Sequence, residues 1–313
     1  MQITGPYPGI FNTAASEILV SHTTFSGSII NQGVIGTGGI VVIDSTFQSG
    51  GLTNTGTVLG GIHVDSGSQI LAGGATAIVV QNTATFAGGI TNAGTLSGTQ
   101  GIVLNDVTNF SGGVTNTGAI TAHFSAINIA TNVTASGGTF TGNIVNTGTL
   151  RGASGLRIAV VASSGALNGS STFNGSIVNT GSIFSSGRNG INIEKVGAAL
   201  FSGNISNGGA LTATNDTAIA INLLAMGSGG TFSGNIINSG AINSPSGPSF
   251  VENFEVGQVA DNNGTFLGNI VNTGTISTSH ANGIEIQQVG GALFSGNISN
   301  SGASLRISAA SRS

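Results

Sequence analysis

The stretch Phe140-Thr-Gly142-Asn-Ile144-Val-Asn146-Thr-Gly148-Thr-Leu150 decides the fold. Its alternate residues, Phe140, Gly142, Ile144, Asn146, Gly148 and Leu150, share one face of an extended chain, and Thr141, Asn143, Val145, Thr147 and Thr149 share the other. Gly, Thr, Asn and Ser are poor helix formers, and no 3.6-residue spacing of apolar positions is present. The elements are strands.

The same pattern, Phe-x-Gly-x-Ile/Val-x-Asn-x-Gly-x-aliphatic, occurs ten times, anchored at Phe25, Phe47, Phe86, Phe110, Phe140, Phe173, Phe201, Phe232, Phe266 and Phe294. The copy at Phe47 carries an extra residue before Leu52, and the last copy has Ser304 at its final apolar position. Steps between anchors run from 22 to 39 residues, so the unit is constant while its connections vary. A second signature lies between units, a small residue followed by aliphatic-x-aliphatic: Gly61-Ile62-His63-Val64, Gly101-Ile102-Val103-Leu104, Ala126-Ile127-Asn128-Ile129, Gly155-Leu156-Arg157-Ile158, Gly190-Ile191-Asn192-Ile193 and Gly283-Ile284-Glu285-Ile286. The 39-residue step from Phe47 to Phe86 holds two such signatures, the second at Ala77-Ile78-Val79-Val80, which points to a partial extra coil. A longer period overlays these: GINIEKVGAALFSGNISN at 190–207 returns as GIEIQQVGGALFSGNISN at 283–300, the mark of a duplicated three-coil block.

One unit buries a Phe and two or three aliphatics, too little to offset the entropy of ordering about thirty residues, so a coil cannot stand alone. Stacking coils at the strand spacing of about 4.8 Å solves this, because each Phe then packs on the next and every strand pairs above and below. Ten coils give a rod about 50 Å long. Parallel crossovers are overwhelmingly right-handed, so the expected fold is all-β, a right-handed parallel β-helix of about ten coils. Residues 16–307 form that repeat domain, with 1–15 as an N-terminal cap or edge and 308–313 as a tail; uncapped end coils would template self-association.

The repeated asparagines, Asn31, Asn54, Asn92, Asn116, Asn146, Asn179, Asn207, Asn238, Asn272 and Asn300, are the polar positions that matter most. Two structural readings fit: inward amides donating to one another up the stack, or Asn in the left-handed conformation at a corner eased by the following Gly.

Composition excludes several functions. Six Lys and Arg in 313 residues cannot form the positive stripe that nucleic acid requires, and a net charge of −4 is too small to steer a ligand. With 39% apolar residues and a mean hydropathy of +0.34, disorder is excluded. The absence of cysteine removes disulfides, thiolate metal sites and Cys nucleophiles together. No apolar run reaches the ~18 residues of a membrane-spanning helix, and the start, MQITGPYPGIFNTAASEI, is not a signal peptide. A transmembrane barrel lacks its aromatic girdles here, with no Trp and one Tyr.

The run FSGNIVNTGTI with a nearby GIxI resembles the repeat arrays in passenger regions of bacterial autotransporters, the type V secreted surface proteins, over about residues 16–307. The resemblance implies a β-helical stalk exported through an outer-membrane translocator barrel on a longer parent protein. It also implies display at a Gram-negative cell surface or secretion, with a role in adhesion or autoaggregation and contacts to a host surface, a glycan or another copy. The missing leader and the ending LRISAASRS, unlike a barrel, mark a fragment or a truncated relative.

No residues are assigned to catalysis, to a cofactor or to a metal. Carboxylates are spread over many coils, and Glu252 and Glu255 are the only close pair, in a stretch with Pro245 and Pro248 that breaks the repeat. A carbohydrate-active β-helix, a polysaccharide lyase or hydrolase, is the alternative function. Glu194 and Glu285 lie near equivalent points three coils apart, about 14 Å, too far to act as a pair. His22, His63, His123 and His280 are isolated, and Asp65-Ser66-Gly67 is only faintly like a protease nucleophile loop. Thr pairs at Thr55/Thr57, Thr147/Thr149 and Thr273/Thr275 resemble the flat arrays of ice-binding solenoids, a remote alternative because other coils break the row. The expected role is non-enzymatic: reach, plus weak multivalent contact through a Ser/Thr/Asn-rich face.

Overall fold

A computed structural model describes residues 2–3, 9–133, 138–162, 172–194, 200–222, 231–244, 254–257, 265–278, 283–289, 293–304 and 307–312. Every regular element among them is a strand, and the strands form two sheets, of 29 and 11 strands. Each circuit of the chain crosses three faces belonging to the larger sheet and one belonging to the smaller. Strand Ile102–Ser111 supplies the first face and, at Phe110, the second; Val114–Asn116 makes the third, and Ala119–Ala122 the fourth. The next circuit lies on it in parallel, pairing Ile102 with Ile127, Phe110 with Phe140, Asn116 with Asn146 and Ile120 with Leu150.

Alternation sets what faces inward. In Ile144–Asn146 the outer residues of the triplet are buried and Val145 is partly exposed, and the same pattern recurs in Ile177–Asn179, Ile236–Asn238 and Ile270–Asn272. The inward aliphatics of successive circuits merge into one core cluster that runs the length of the stack. The fourth face carries eleven strands where the repeat count predicts about ten coils, giving a rod of roughly 50 Å at the usual strand spacing.

The Phe anchors do not form one column. From Phe86 to Phe294 they lie on the second face as a continuous pile, with neighbouring centroids 4.5–5.2 Å apart and planes within 9° of parallel. Phe25 and Phe47 lie instead on the fourth face, 4.9 Å apart and tilted by 54°. Phe47 is followed there by Ile70, while Phe86 is preceded on its own face by Val58. The expectation that each Phe packs on the next therefore fails at one step, Phe47 to Phe86. Those 39 residues make a circuit and a half: Leu52, Val58, Ile62 and Ile70 fill the four faces once, and Ile78 then opens the circuit in which Phe86 takes the second face. Any large aliphatic satisfies an inward position, so the motif shifts by half a turn without opening the core.

Part of the expected N-terminal cap or edge, 1–15, pairs directly with the repeat stack. Strand Gly9–Ser21 pairs with Ser28–Ile43 from Gly9↔Ser28 to Ser21↔Ile43, with bulges between Asn12 and Ala14 and between Ala15 and Glu17. At the other end Ile307–Arg312 pairs with Ile284–Val289, so residues of the expected tail are also in the sheet.

These neighbours grade the cost of losing a ring. Phe173 has a stacked ring on each side, at 4.5 and 4.6 Å, whereas Phe47 has one tilted ring and an isoleucine. An aromatic pair adds about 0.5–1.5 kcal/mol beyond area burial, so Phe173→Leu is expected to cost about 1 kcal/mol more than Phe47→Leu in urea unfolding.

Candidate functional site

The ten repeated asparagines divide as the phenylalanines do. On the third face, Asn92, Asn116, Asn146, Asn179, Asn207, Asn238, Asn272 and Asn300 form one ladder, each Nδ2 donating to the Oδ1 of the next at 2.7–2.8 Å. On the first face Asn12 donates to Asn31 at 2.7 Å and Asn31 to Asn54 at 2.6 Å. Asn12 was not among the sequence candidates, although Ile10-Phe11-Asn12 repeats the Ile-x-Asn spacing; the unit around it lacks its Phe and Gly.

From Asn31 to Asn272 each ladder amide also serves the corner that follows. The Nδ2 of Asn146 donates to the Gly148 carbonyl at 3.2 Å, and the amides of Thr147 and Gly148 donate to the Asn116 carbonyl at 2.9 and 3.2 Å. None of the ladder asparagines is left-handed: among the described residues the non-glycine positions with positive φ are His22, Asp44, Asn82 and Asp106. The asparagines are thus inward rungs placed at a corner, in ordinary backbone conformation.

Both ladders have visible ends where the half-turn shift cuts them. Asn54 is followed in register by Val80, and its Nδ2 turns to the Gly56 carbonyl at 2.7 Å; the Thr83 hydroxyl donates to the same carbonyl at 2.8 Å. Asn92 is preceded by Val64, and its Oδ1 is buried without a hydrogen-bond partner. Val64→Asn would place an amide donor under that oxygen. It is therefore expected to be less destabilising than Val42→Asn, one circuit earlier in the same column with valines on both sides, by about 1–3 kcal/mol in chemical denaturation.

A second, outer ladder lies outside the expectations drawn from the repeat. At the corner after the Phe strand, the amides of Ser176, Asn235, Asn269 and Asn297 donate to the Oδ1 of Asn143, Asn204, Asn235 and Asn269 at 2.8–2.9 Å, and the Asn204 amide donates to Ser176 Oγ at 3.1 Å. The signal was present as the Asn or Ser that follows the first Gly of the later units. Its side chain faces outward, where polarity alone carries no information.

The candidates for chemistry are dispersed. Glu252, Asp261 and His280 lie outside the described residues, and only the backbone is described for Glu194, Glu255 and Glu285. That backbone aligns Glu255 with Glu285 on adjacent circuits, whereas Glu194 aligns with Asn222. Asp65 braces a corner: its Oδ1 accepts from Ser68 Oγ at 2.5 Å and from the Asp44 amide at 3.1 Å. His22 Nε2 stands 3.5 Å from Asp44 Oδ2 with both side chains more than half exposed, a contact of small energy. Among the described residues no group of three His, Asp or Glu could hold a metal ion, and no helix is long and apolar enough to cross a membrane. The outward row that includes Thr149 reads Thr95, Ala119, Thr149, Ser182, Ala210, so threonine does not repeat level on level.

Comparison with protein-family models, with curated proteins and with solved structures finds no match for this chain.

Proposed function

We propose that the chain is a non-enzymatic β-solenoid stalk, right-handed and of ten to eleven coils, forming a passenger-type segment of a bacterial autotransporter. Its role is adhesion or autoaggregation at a Gram-negative cell surface or after secretion, with a translocator barrel on a longer parent protein. The observation that carries this reading is the use of the inward face: circuit after circuit, its reactive-looking amides and rings are consumed in hydrogen-bonded and stacked columns. Right-handed winding is supported by the strong handedness preference of parallel crossovers. The autotransporter reading is supported by the resemblance of the FSGNIVNTGTI-type repeat, and the outward Thr, Ser and Ala rows supply the same weak contact at many levels, which gains by avidity.

Displayed densely on a bacterial surface, the chain is expected to clump cells, and soluble chain in excess is expected to disperse them. Absence of clumping in aggregation assays would count against the adhesive role. In zymograms on acidic glycans no depolymerisation is expected; turnover that disappears in Glu255→Gln would replace the stalk by the polysaccharide-active reading.

A further inference from the structure

Of the ten repeated asparagines, Asn207 alone is followed by glycine; the others precede Gln, Ala, Thr or Ser. The fold does not call for that glycine. Gly208 has no positive φ, and a Cβ on it would meet Ser239 Oγ at 3.5 Å and Thr180 Cγ2 at 3.8 Å, ordinary contacts. What Gly208 changes is the chemistry of the link, because a backbone nitrogen whose own residue has no side chain is unhindered in attacking the side-chain amide before it. We infer that Asn207 is a deamidation site of the unfolded chain, and that the modification bars the chain from completing its ladder.

The step needs only water. The Gly208 nitrogen attacks Cγ of Asn207, the new C–N bond closes a succinimide ring, and Nδ2 leaves as ammonia carrying the proton that the Gly208 nitrogen gives up. Water then opens the ring at either carbonyl, leaving aspartate or isoaspartate at 207; nothing is oxidised or reduced. In the wound chain both reacting atoms are held apart. The Gly208 nitrogen donates to the Asn179 carbonyl at 2.7 Å. The fully buried Asn207 side chain accepts from Asn179 at 2.7 Å and donates to Asn238 at 2.8 Å and to the Gly209 carbonyl at 3.3 Å. Bringing the nitrogen to Cγ therefore requires the corner to open, and the rate falls by the equilibrium constant of that opening.

Either product damages what the asparagine serves. Aspartate still accepts from Asn179, but it has no N–H for the Asn238 and Gly209 oxygens, and it brings a charge into a buried column of neutral amides. Isoaspartate routes the main chain through the former side chain and lengthens it by a carbon, at the corner where Gly209 leaves no room for a Cβ against the Gly181 carbonyl. Asn174-Gly175 is the same dipeptide in the opposite setting: Asn174 is exposed and outside the ladder, so a charge there stays solvated. A reactive link at a position that tolerates neither product gives the unfolded chain a limited time in which to wind. The inference is independent of what the rod binds.

Full chain held in guanidinium chloride at mildly alkaline pH, with native chain incubated beside it, tests the site by peptide mass mapping. Deamidation at Asn207 is expected to run at least about a hundredfold faster in the denatured sample than in the native one. Gly208→Ala should slow it in denaturant at least about fivefold. After dilution, the refolded and unrefolded pools are mapped separately. Modification at Asn207 should be depleted at least about tenfold from the refolded pool, while modification at Asn174 is equal in both. Asn207→Asp carries the same charge without any incubation, and should lower the urea midpoint where Asn174→Asp leaves it unchanged. Deamidation at Asn207 as fast in the native chain as in denaturant, an undiminished rate in Gly208→Ala, equal amounts of the product in both pools, or equal midpoints for the two aspartate variants would overturn the assignment.

Discussion

Gly209→Ala is expected to destabilise the chain by about 3 kcal/mol or more, while Gly208→Ala, one residue earlier, stays within about 0.5 kcal/mol. The reason is approach rather than backbone conformation, since neither glycine has positive φ. A Cβ on Gly209 would stand 2.0 Å from the Gly181 carbonyl oxygen on the circuit before, and that atom belongs to a backbone that cannot rotate away. A Cβ on Gly208 would meet Ser239 Oγ at 3.5 Å, an ordinary contact. The collision repeats level after level: Gly118 on Gly94, Gly148 on Gly118, Gly181 on Gly148, Gly240 on Gly209 and Gly274 on Gly240, all at 2.0–2.1 Å. The Gly two residues after each of the ten repeated Asn is thus what lets successive corners close at strand spacing. Urea unfolding measures both variants, and hydrogen exchange should show protection lost first in the circuits next to Gly209, because each circuit contacts only its neighbours.

Asn179→Leu is expected to cost about 2–5 kcal/mol, the second large effect. The side chain is buried, accepts from Asn146 at 2.7 Å and donates to Asn207 at 2.7 Å. Its removal leaves the Asn146 amide short of an acceptor and the Asn207 oxygen without its donor, each worth about 1–3 kcal/mol when buried and unsatisfied. The ladder's own end supplies the comparison. Asn92→Val removes one rung bond, to Asn116 at 2.8 Å, but also removes an oxygen that has no partner and extends the column beneath it, which already holds Val64. It should cost about 1 kcal/mol in the same denaturation experiment. Equal costs at the two positions would mean that the amides do not act as a chain of donors.

Strand identity and the parallel stack are legible in the units themselves, because Phe, Ile, Asn and Leu recur at even spacing and a lone unit is too small to fold. The shift after Phe47 is less so. Counting anchors registers how many units exist but not which face each begins on, and Ile35, Val58 and Ile70 fill inward positions as well as Phe does. The two aliphatic signatures between Phe47 and Phe86 are the trace of it, and the partial extra coil they point to is the half circuit beyond the usual one. Asn12 is not marked by the repeat because its circuit carries only a fragment of the unit.

Cysteine cross-linking tests the in-register stack and its single shift most directly, in a chain that has no native cysteine to interfere. Partners on adjacent parallel strands lie about 4.8 Å apart, within the range a disulfide spans. Thr53→Cys with Val79→Cys, and Thr115→Cys with Val145→Cys, should each oxidise to an intramolecular disulfide, because those residues are register partners. Thr53→Cys with Thr91→Cys should stay reduced, although the two threonines hold the same place in their units, because Thr91 is paired with His63. Cross-linking of Thr53 to Thr91 in preference to Val79 would put the phenylalanines in one unbroken column and contradict the shifted stack.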